Sequence, residues 1–331
     1  MSDTVQNVCV RLAERSYEIR IGHAILDRAG PFVAEQGDVS DAVVITDENV
    51  EKPHAIRVAE SLARESIAVD LVVVEAGETS KSIETATLLW EKLLQLGADR
   101  KTVVVAVGGG VVGDLAGFVA ATFARGIRFI QVPTTLLAQV DSSVGGKVGI
   151  NLPQAKNMVG SFLQPLGVLI DTHALDTLDE REYRSGLGEV VKYGVILDAE
   201  LFEYLETHKE ELLGRDPEVL RHVIARCCRL KADVVEQDER EESGLRAVLN
   251  YGHTFGHALE ALTGYGHLLH GEAVGIGMIC ASRLAERLGR VDGGFTARQA
   301  SLLSALGVPT QMPQLDHDQV LRTMLHDKKV Q

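Results

Sequence analysis

Short β-branched runs alternate with helix-forming segments along the first half of the chain and then cease, which limits the fold more than any single residue does. Residues 42–46, 69–74, 102–107 and 129–132 are compact apolar runs, closing near Asp47, Gly77, Gly108 and Pro133. Between them lie stretches such as residues 82–96, with apolar positions at helical spacing. Such alternation predicts a parallel sheet covered on both faces. From about Asp179 onward the chain is rich in Leu, Ala, Glu and Arg and shows no strand run. Asp216-Pro217 opens a helix there, and Gly289 and Gly307 close others. The reading is a Rossmann-like α/β domain over residues 1–176 and an all-α domain over residues 177–331, with a ligand cleft expected between them.

Charge narrows the partners. The chain has 331 residues, 45% of them hydrophobic, and a formal net charge of −14. That surface repels nucleic-acid phosphates, so no nucleic-acid partner is expected, and an anionic small ligand must be gripped by a few convergent Lys and Arg side chains. No apolar run reaches the roughly 18 residues that span a bilayer, and Met1-Ser2-Asp3-Thr4 does not begin a basic-then-apolar leader. Cys9, Cys227, Cys228 and Cys280 fall in no metal-ligand spacing. A cytoplasmic protein without membrane association is expected.

Gly108-Gly109-Gly110-Val111-Val112-Gly113 follows the third of the apolar runs and leads into a helical segment beginning near Asp114. Glycines there let a backbone approach a pyrophosphate at a helix N-terminus; a tight turn packing on its own helix would use the same residues. No acidic residue lies about 20 positions on to hold a ribose. The earlier strand ends at Asp47 and at Glu78 with Lys81 are the expected substitutes.

Asn250, His253 and His257 recur at spacings of three and four, which predicts one helical face. Two imidazoles one turn apart either share a divalent ion, or one ligates while the other handles a proton. His267, His270 and Glu272 follow, and Glu189 with Lys192 lies upstream. A carboxylate with two imidazoles leaves metal positions open for substrate. Residues 141–151, glycine-rich with Asp141 and Lys147, read as a flexible anion-binding loop, followed by Lys156 and Asn157. Arg125 and Arg246 add forked donors suited to carboxylates.

These stretches together resemble the 3-dehydroquinate synthase family of sugar-phosphate cyclases, which shares its architecture with glycerol dehydrogenase-like enzymes. The resemblance runs almost continuously from Thr46 to Lys329 and is most specific over residues 108–114, 133–157, 188–192 and 250–272. It implies that Glu189, His253 and His270 bind a divalent metal, usually Zn2+ with Co2+ as a substitute, and that His257 works on the substrate side. It implies NAD against Asp47, Asn49, Glu78, Lys81, Gly109, Gly110, Asp114, Thr134, Thr135, Thr177 and Leu178. Lys192, Asn250 and Arg246 join His257 as implied catalytic residues. Substrate contacts fall to Asp141, Lys147, Lys156, Asn157, Lys231 and Lys328, and Arg125 is implied to cross the interface of a homodimer. The implied reaction converts the small-molecule sugar phosphate 3-deoxy-D-arabino-heptulosonate 7-phosphate to 3-dehydroquinate and phosphate. It proceeds by transient oxidation with NAD, phosphate elimination, reduction and intramolecular aldol closure.

Two departures accompany the resemblance. The run from Asp238 to Gly244 carries one residue more than the commonest family form, which bears on the acidic member near Glu242. Family members usually continue past the position of Lys329. Three rival readings make separate expectations. A polyol dehydrogenase of the glycerol dehydrogenase kind would accumulate NADH and need no phosphate-binding set. A cyclase acting on sedoheptulose 7-phosphate or glucose 6-phosphate would keep the metal triad but differ around Ser143–Lys147 and Lys156-Asn157. A non-catalytic nucleotide-binding scaffold would be free to lose the triad.

Overall fold

The computed structural model describes residues 5–153, 155–264 and 266–325. The chain divides into two compact units, Met1–Leu178 with Lys231–Arg240, and Asp179–Leu230 with Glu241–Gln331.

The first unit is built on seven strands: β1 (Gln6–Val10), β2 (Tyr17–Gly22), β3 (Asp41–Asp47), β4 (Ala68–Val74), β5 (Val103–Gly108), β6 (Arg128–Pro133) and β9 (Gly167–Asp171), in the spatial order β1-β2-β9-β6-β5-β3-β4. All neighbours are parallel except β1, which runs antiparallel to β2. β5 and β9 are buried throughout, as an apolar run must be when helices cover both faces. Side chains alternate between those faces. Val43 and Ile45 of β3 join one core, with Leu89 and Leu93 of α3 (Ile83–Gln95) and Leu115 and Phe118 of α4 (Gly110–Thr122). Ala42 and Val44 join the other, with Phe32 of α1 (Ala29–Ala34) and Val58 and Leu62 of α2 (Ile56–Arg64).

Two features differ from the sequence expectation. The glycine turn follows β5, the fifth strand and not the third, because β1 and β2 precede the first run that was read. Their sequences, QNVCV and YEIRIG, mix polar and apolar residues, and most of β1 is exposed. The expected flexible loop is largely an antiparallel hairpin of β7 (Lys147–Leu152) and β8 (Ala155–Phe162), pairing Lys147 with Phe162. Val148 and Ile150 anchor the hairpin in the core beneath α4.

The second unit consists of helices: α5 (Glu180–Leu197), α6 (Ala199–Thr207), α7 (Lys209–Leu213), α8 (Pro217–Gln237), α9 (His253–Thr263), α10 (His270–Arg287), α11 (Gly293–Ala305) and α12 (His317–Leu325). The last turns of α8, from Lys231, are counted with the first unit. Asp216 accepts the Glu218 and Val219 N–H groups and so caps α8. Gly289 and Gly307 take positive φ just past α10 and α11, the left-handed turn that ends helices. Among the described residues no helix is long and apolar enough to cross a membrane.

Candidate active site

Three donor atoms from separate helices of the second unit face one point. Glu189 lies within α5, while His253 and His270 are the first residues of α9 and α10. Glu189 Oε1 is 3.7 Å from Nε2 of each imidazole, and one ligand atom from each residue lies within 4.8 Å of the others. Tetrahedral zinc with bonds of about 2.0–2.2 Å separates its ligands by roughly 3.3–3.6 Å, so a small inward movement would bring these three donors to ligand spacing. Glu189 is wholly buried, and neither carboxylate oxygen accepts a hydrogen bond of normal direction, although Lys192 Nζ lies in contact with Oε2. A buried carboxylate so poorly hydrogen-bonded is costly unless more positive charge joins it. The residues fit a divalent cation.

The outer nitrogens of both rings have acceptors. His253 Nδ1 lies 3.2 Å from the Tyr251 carbonyl oxygen, and His270 Nδ1 lies 3.4 Å from Glu260 Oε2. Burial pulls the His270 pKa down, but the Glu260 hydrogen bond and the Glu189 charge outweigh it, and the net shift is upward.

Glycines bring these helices together. A Cβ on Gly188 would stand 2.5 Å from the Gly271 carbonyl oxygen, and one on Gly271 would stand 1.8 Å from that of Ser185. The Gly271 N–H instead donates to Ser185 Oγ at 3.0 Å. α9 meets α10 in the same way, since a Cβ on Gly252 would lie 2.7 Å from the Met278 nitrogen. Each candidate ligand is thus the chain neighbour of a glycine at a backbone-to-backbone crossing. Glu272 is not in the triad. It receives two Arg181 hydrogen bonds at 2.7 Å and the Leu269 N–H at 2.9 Å, which fixes the start of α10.

The remaining expected residues of this unit fall in different settings. His257 is one turn past His253, with ring centroids 5.5 Å apart and edge-on, and 6.2 Å from His270. Asn250 does not share their helix: it ends a 3-10 stretch, Leu245–Asn250, and Gly252 at φ 81° breaks the chain direction before α9. Arg246 and Lys192 are both buried, and Glu242 is exposed. A second group, His257, Glu260 and His270, also brings ligand atoms within 4.8 Å. Glu260 was not singled out from the sequence; its i,i+3 relation to His257 was the available signal.

In the first unit the chain crosses the sheet between β3 and β5, since β3 leads outward to β4 and β5 returns on the opposite side of β3. Crevices at the carboxyl ends of such strands are where open α/β sheets bind ligands. Asp47 ends β3, where its Oδ1 accepts the Asn49 and Val50 N–H groups at 2.9 and 3.1 Å. Burial raises its pKa despite those bonds. Gly109 caps the N-terminus of α4, whose first N–H groups have no intrahelical partner. A Cβ on Gly109 would stand 2.9 Å from Thr135 Cγ2, and Thr134 N donates to Gly108 O at 3.0 Å. A side chain at Gly109 would thus press on Thr135, and the first N–H groups of α4 beside it lie outside the helix's own hydrogen bonds, which fits a diphosphate. Lys81 Nζ contacts Asp114 and lies 2.5 Å from Asn157 Oδ1. Burial drives the Asp114 pKa up, with Lys81 opposing it. Thr177 Oγ1 bonds His54 Nε2 at 2.7 Å, and Leu178 N bonds Leu175 O.

The residues expected to bind an anion are only partly gathered. Lys231 Nζ reaches the Asp141 carbonyl at 2.7 Å and its carboxylate at 3.0 Å. Lys147 and Lys156 lie on the two strands of the hairpin. Asn151 ties that hairpin to the expected nucleotide residues. Its amide donates to Glu78 Oε1 at 2.7 Å, its backbone N–H donates to Lys81 O at 2.8 Å, and its side-chain oxygen accepts the Asn157 N–H at 3.0 Å. The sequence reading passed over it. Arg125 is exposed in a turn where it, Ala124 and Gly126 all have positive φ. Lys328 lies outside the described residues.

The fold of the chain matches that of solved cyclases. The chain superposes on 2-deoxy-scyllo-inosose synthase complexed with carbaglucose-6-phosphate, NAD+ and Co2+ with a TM-score of 0.89 at 32% identity, covering 98% of this chain and 88% of that one. It superposes on 2-epi-5-epi-valiolone synthase from Streptomyces hygroscopicus, with NAD+ and Zn2+ bound, with a TM-score of 0.86 at 30% identity, covering 95% and 87%. Fold and site thus define a sugar-phosphate cyclase. Residues 71–185 match the 3-dehydroquinate synthase N-terminal model and residues 186–330 the C-terminal model. The 3-dehydroquinate synthase of Rhodopirellula baltica is 50% identical over 336 residues, covering 100% of this chain and 90% of that protein. The chain belongs to the 3-dehydroquinate synthase family.

Proposed function

We propose that this protein converts 3-deoxy-D-arabino-heptulosonate 7-phosphate to 3-dehydroquinate and inorganic phosphate, with NAD and one divalent metal ion as resident cofactors. The observation that carries the reading is the buried Glu189 carboxylate with two imidazole nitrogens 3.7 Å away, in a chain half identical along its whole length to a curated synthase. Zinc is the proposed ion, with cobalt as a working substitute, since the two cyclase structures carry one or the other. When bound, NAD supplies a reversible hydride acceptor and the ion makes a substrate hydroxyl more acidic.

The chain's own residues then have separable tasks. The α/β unit is proposed to hold NAD through the Gly109–Gly110 turn, Asp47, Asn49, Glu78, Lys81, Asp114, Thr134, Thr135, Thr177 and Leu178. The helical unit is proposed to hold the ion on Glu189, His253 and His270. His257 is assigned to proton transfer on the substrate side, and Lys192, Arg246 and Asn250 to orienting the reacting carbons and carboxylate. Asp141, Lys147, Lys156, Asn157 and Lys231 are assigned to the phosphate end, with Lys328 as a further cation. Holding the carboxylate and phosphate ends in place orients the substrate for the steps up to phosphate departure and contributes much of their rate. The departing phosphate takes the proton released in its own elimination. Arg125, exposed on a left-handed turn, is proposed to serve a partner's site in a homodimer. A reducing cytoplasm is the proposed setting.

The test is release of inorganic phosphate from the heptulosonate phosphate by the purified chain with NAD and Zn2+. Phosphate release without net NADH, abolished by a chelator and restored by Zn2+, is expected. NADH accumulating with a simple polyol and no phosphate release would select the dehydrogenase reading instead.

A further inference from the structure

His270 has a carboxylate on each side of its ring. Its Nε2 faces Glu189 Oε1 at 3.7 Å, and its Nδ1 faces Glu260 Oε2 at 3.4 Å. Glu260 belongs to α9, the helix that begins with His253, and is buried. His253 is arranged likewise, with a carbonyl oxygen at Nδ1 and Glu189 at Nε2. We propose that Glu260 is a positioning residue for the metal: it holds the Nδ1 proton of His270 and thereby commits Nε2 to the ion. The inference rests on the reading of Glu189, His253 and His270 as the metal group.

The physical basis is the tautomerism of imidazole. A neutral ring carries one proton, and the nitrogen that keeps it has no lone pair to give. An acceptor at Nδ1 favours the tautomer with Nε2 open, fixes the ring plane, and makes Nε2 a stronger donor to the ion. A carboxylate does this better than a carbonyl because its charge strengthens the hydrogen bond. His270 needs such help more than His253. Its side chain is 32% exposed against 10%, so packing restrains its ring less.

One competing arrangement uses the same atoms. His257, Glu260 and His270 also bring donors within 4.8 Å, which would make Glu260 itself a ligand. Against it stands Glu189, whose fully buried carboxylate has no well-directed hydrogen bond and toward which both Nε2 atoms already point.

The test is zinc affinity, read by competition against a chromogenic chelator on the full-length apo chain. Wild type, Glu260→Ala, Glu260→Gln and Glu189→Gln are compared, and apo melting temperatures are read in parallel. Glu260→Ala is expected to bind zinc roughly 10- to 100-fold more weakly. Glu260→Gln, which still offers an oxygen to Nδ1–H but no charge, is expected between wild type and alanine, with apo melting unchanged. The glutamine variant keeps its packing, so its weakened affinity carries the test should the alanine variant misfold. Any other order of affinities overturns the proposal, as does Glu189→Gln binding zinc like wild type while the Glu260 variants bind none. Wild type binding no zinc overturns both the proposal and the metal reading beneath it; wild type binding zinc with flat variants overturns the proposal alone.

Discussion

Gly188 and Gly271 meet so closely that a methyl group on the first would stand 2.5 Å from the carbonyl oxygen of the second. Glu189 and His270 are their chain neighbours, so the helix crossing and the ligand geometry are one feature. Without side chains at the crossing, two backbones approach closely enough for a short carboxylate to face an imidazole on another helix.

Gly271→Ala should therefore disturb metal binding without touching a ligand. Its Cβ would be built 1.8 Å from the Ser185 carbonyl oxygen, and α10 must shift from α5 to admit it. Overpacking of this kind costs about 1–3 kcal/mol. A lowered melting temperature together with reduced zinc content is expected. A variant with wild-type melting and full zinc would show that the crossing is not what sets the site.

The two histidines of α9 should separate by metal content. His253→Ala is expected to lose zinc, and His257→Ala to retain it with turnover reduced about 100-fold or more, the usual effect of removing a proton-transfer group. Elemental analysis of both variants decides it, and the opposite pattern would mean that the ion sits in the His257–Glu260–His270 group.

Asn151→Ala should loosen the hairpin of β7 and β8, the proposed anion-binding element, from Glu78 and Lys81. Three hydrogen bonds meet at this residue, two of them through its side chain. Each is worth about 0.5–1.5 kcal/mol. Weaker inhibition by inorganic phosphate, by roughly three- to tenfold or more, is expected with the helical unit's zinc content unchanged. Unaltered phosphate inhibition would leave the hairpin's anchorage to other contacts.

Acid sensitivity should be traceable in part to Asp198. Burial raises its pKa, but the Arg226 guanidinium and the Leu201 N–H outweigh it, and the net shift is downward from 3.8. A carboxylate depressed in the folded state contributes stability above its unfolded pKa and loses it as pH falls through the folded value. Asp198→Asn should thus be less stable than wild type at pH 7, and the gap in melting temperature should narrow as pH falls below 3.8 and close once it has passed the depressed folded value, where both carry a neutral group. A gap independent of pH would assign the effect to packing.

The sheet was largely readable from the chain because buried parallel strands must be continuously apolar, and β3, β4, β5 and β6 were each found within a residue or two of their ends. β1 escaped because an exposed edge carries no such run, β2 because its polar and apolar residues alternate, and the hairpin of β7 and β8 because its glycines read as a loop. α5 and α10 each contain glycines that look like weak points in a helix and serve as contacts. Their partners lie tens of residues away, so local patterning could not reveal them.

Local chemistry along the chain was enough to mark carboxylates and imidazoles as candidate ligands, since residue type and short-range spacing are one-dimensional properties. Spacing alone favoured His253 with His257, and the set Glu189, His253 and His270 came from the family resemblance. Which imidazole nitrogen faces the carboxylate, and which acceptor stands behind it, were settled only by tertiary packing. Asn250 and Glu260 make the contrast plain. Asn250 has helical spacing to His253, but Gly252 at φ 81° turns it off that helix. Glu260 drew no notice in the sequence, yet it stands 3.4 Å from His270 because α9 and α10 cross where glycines allow them to touch.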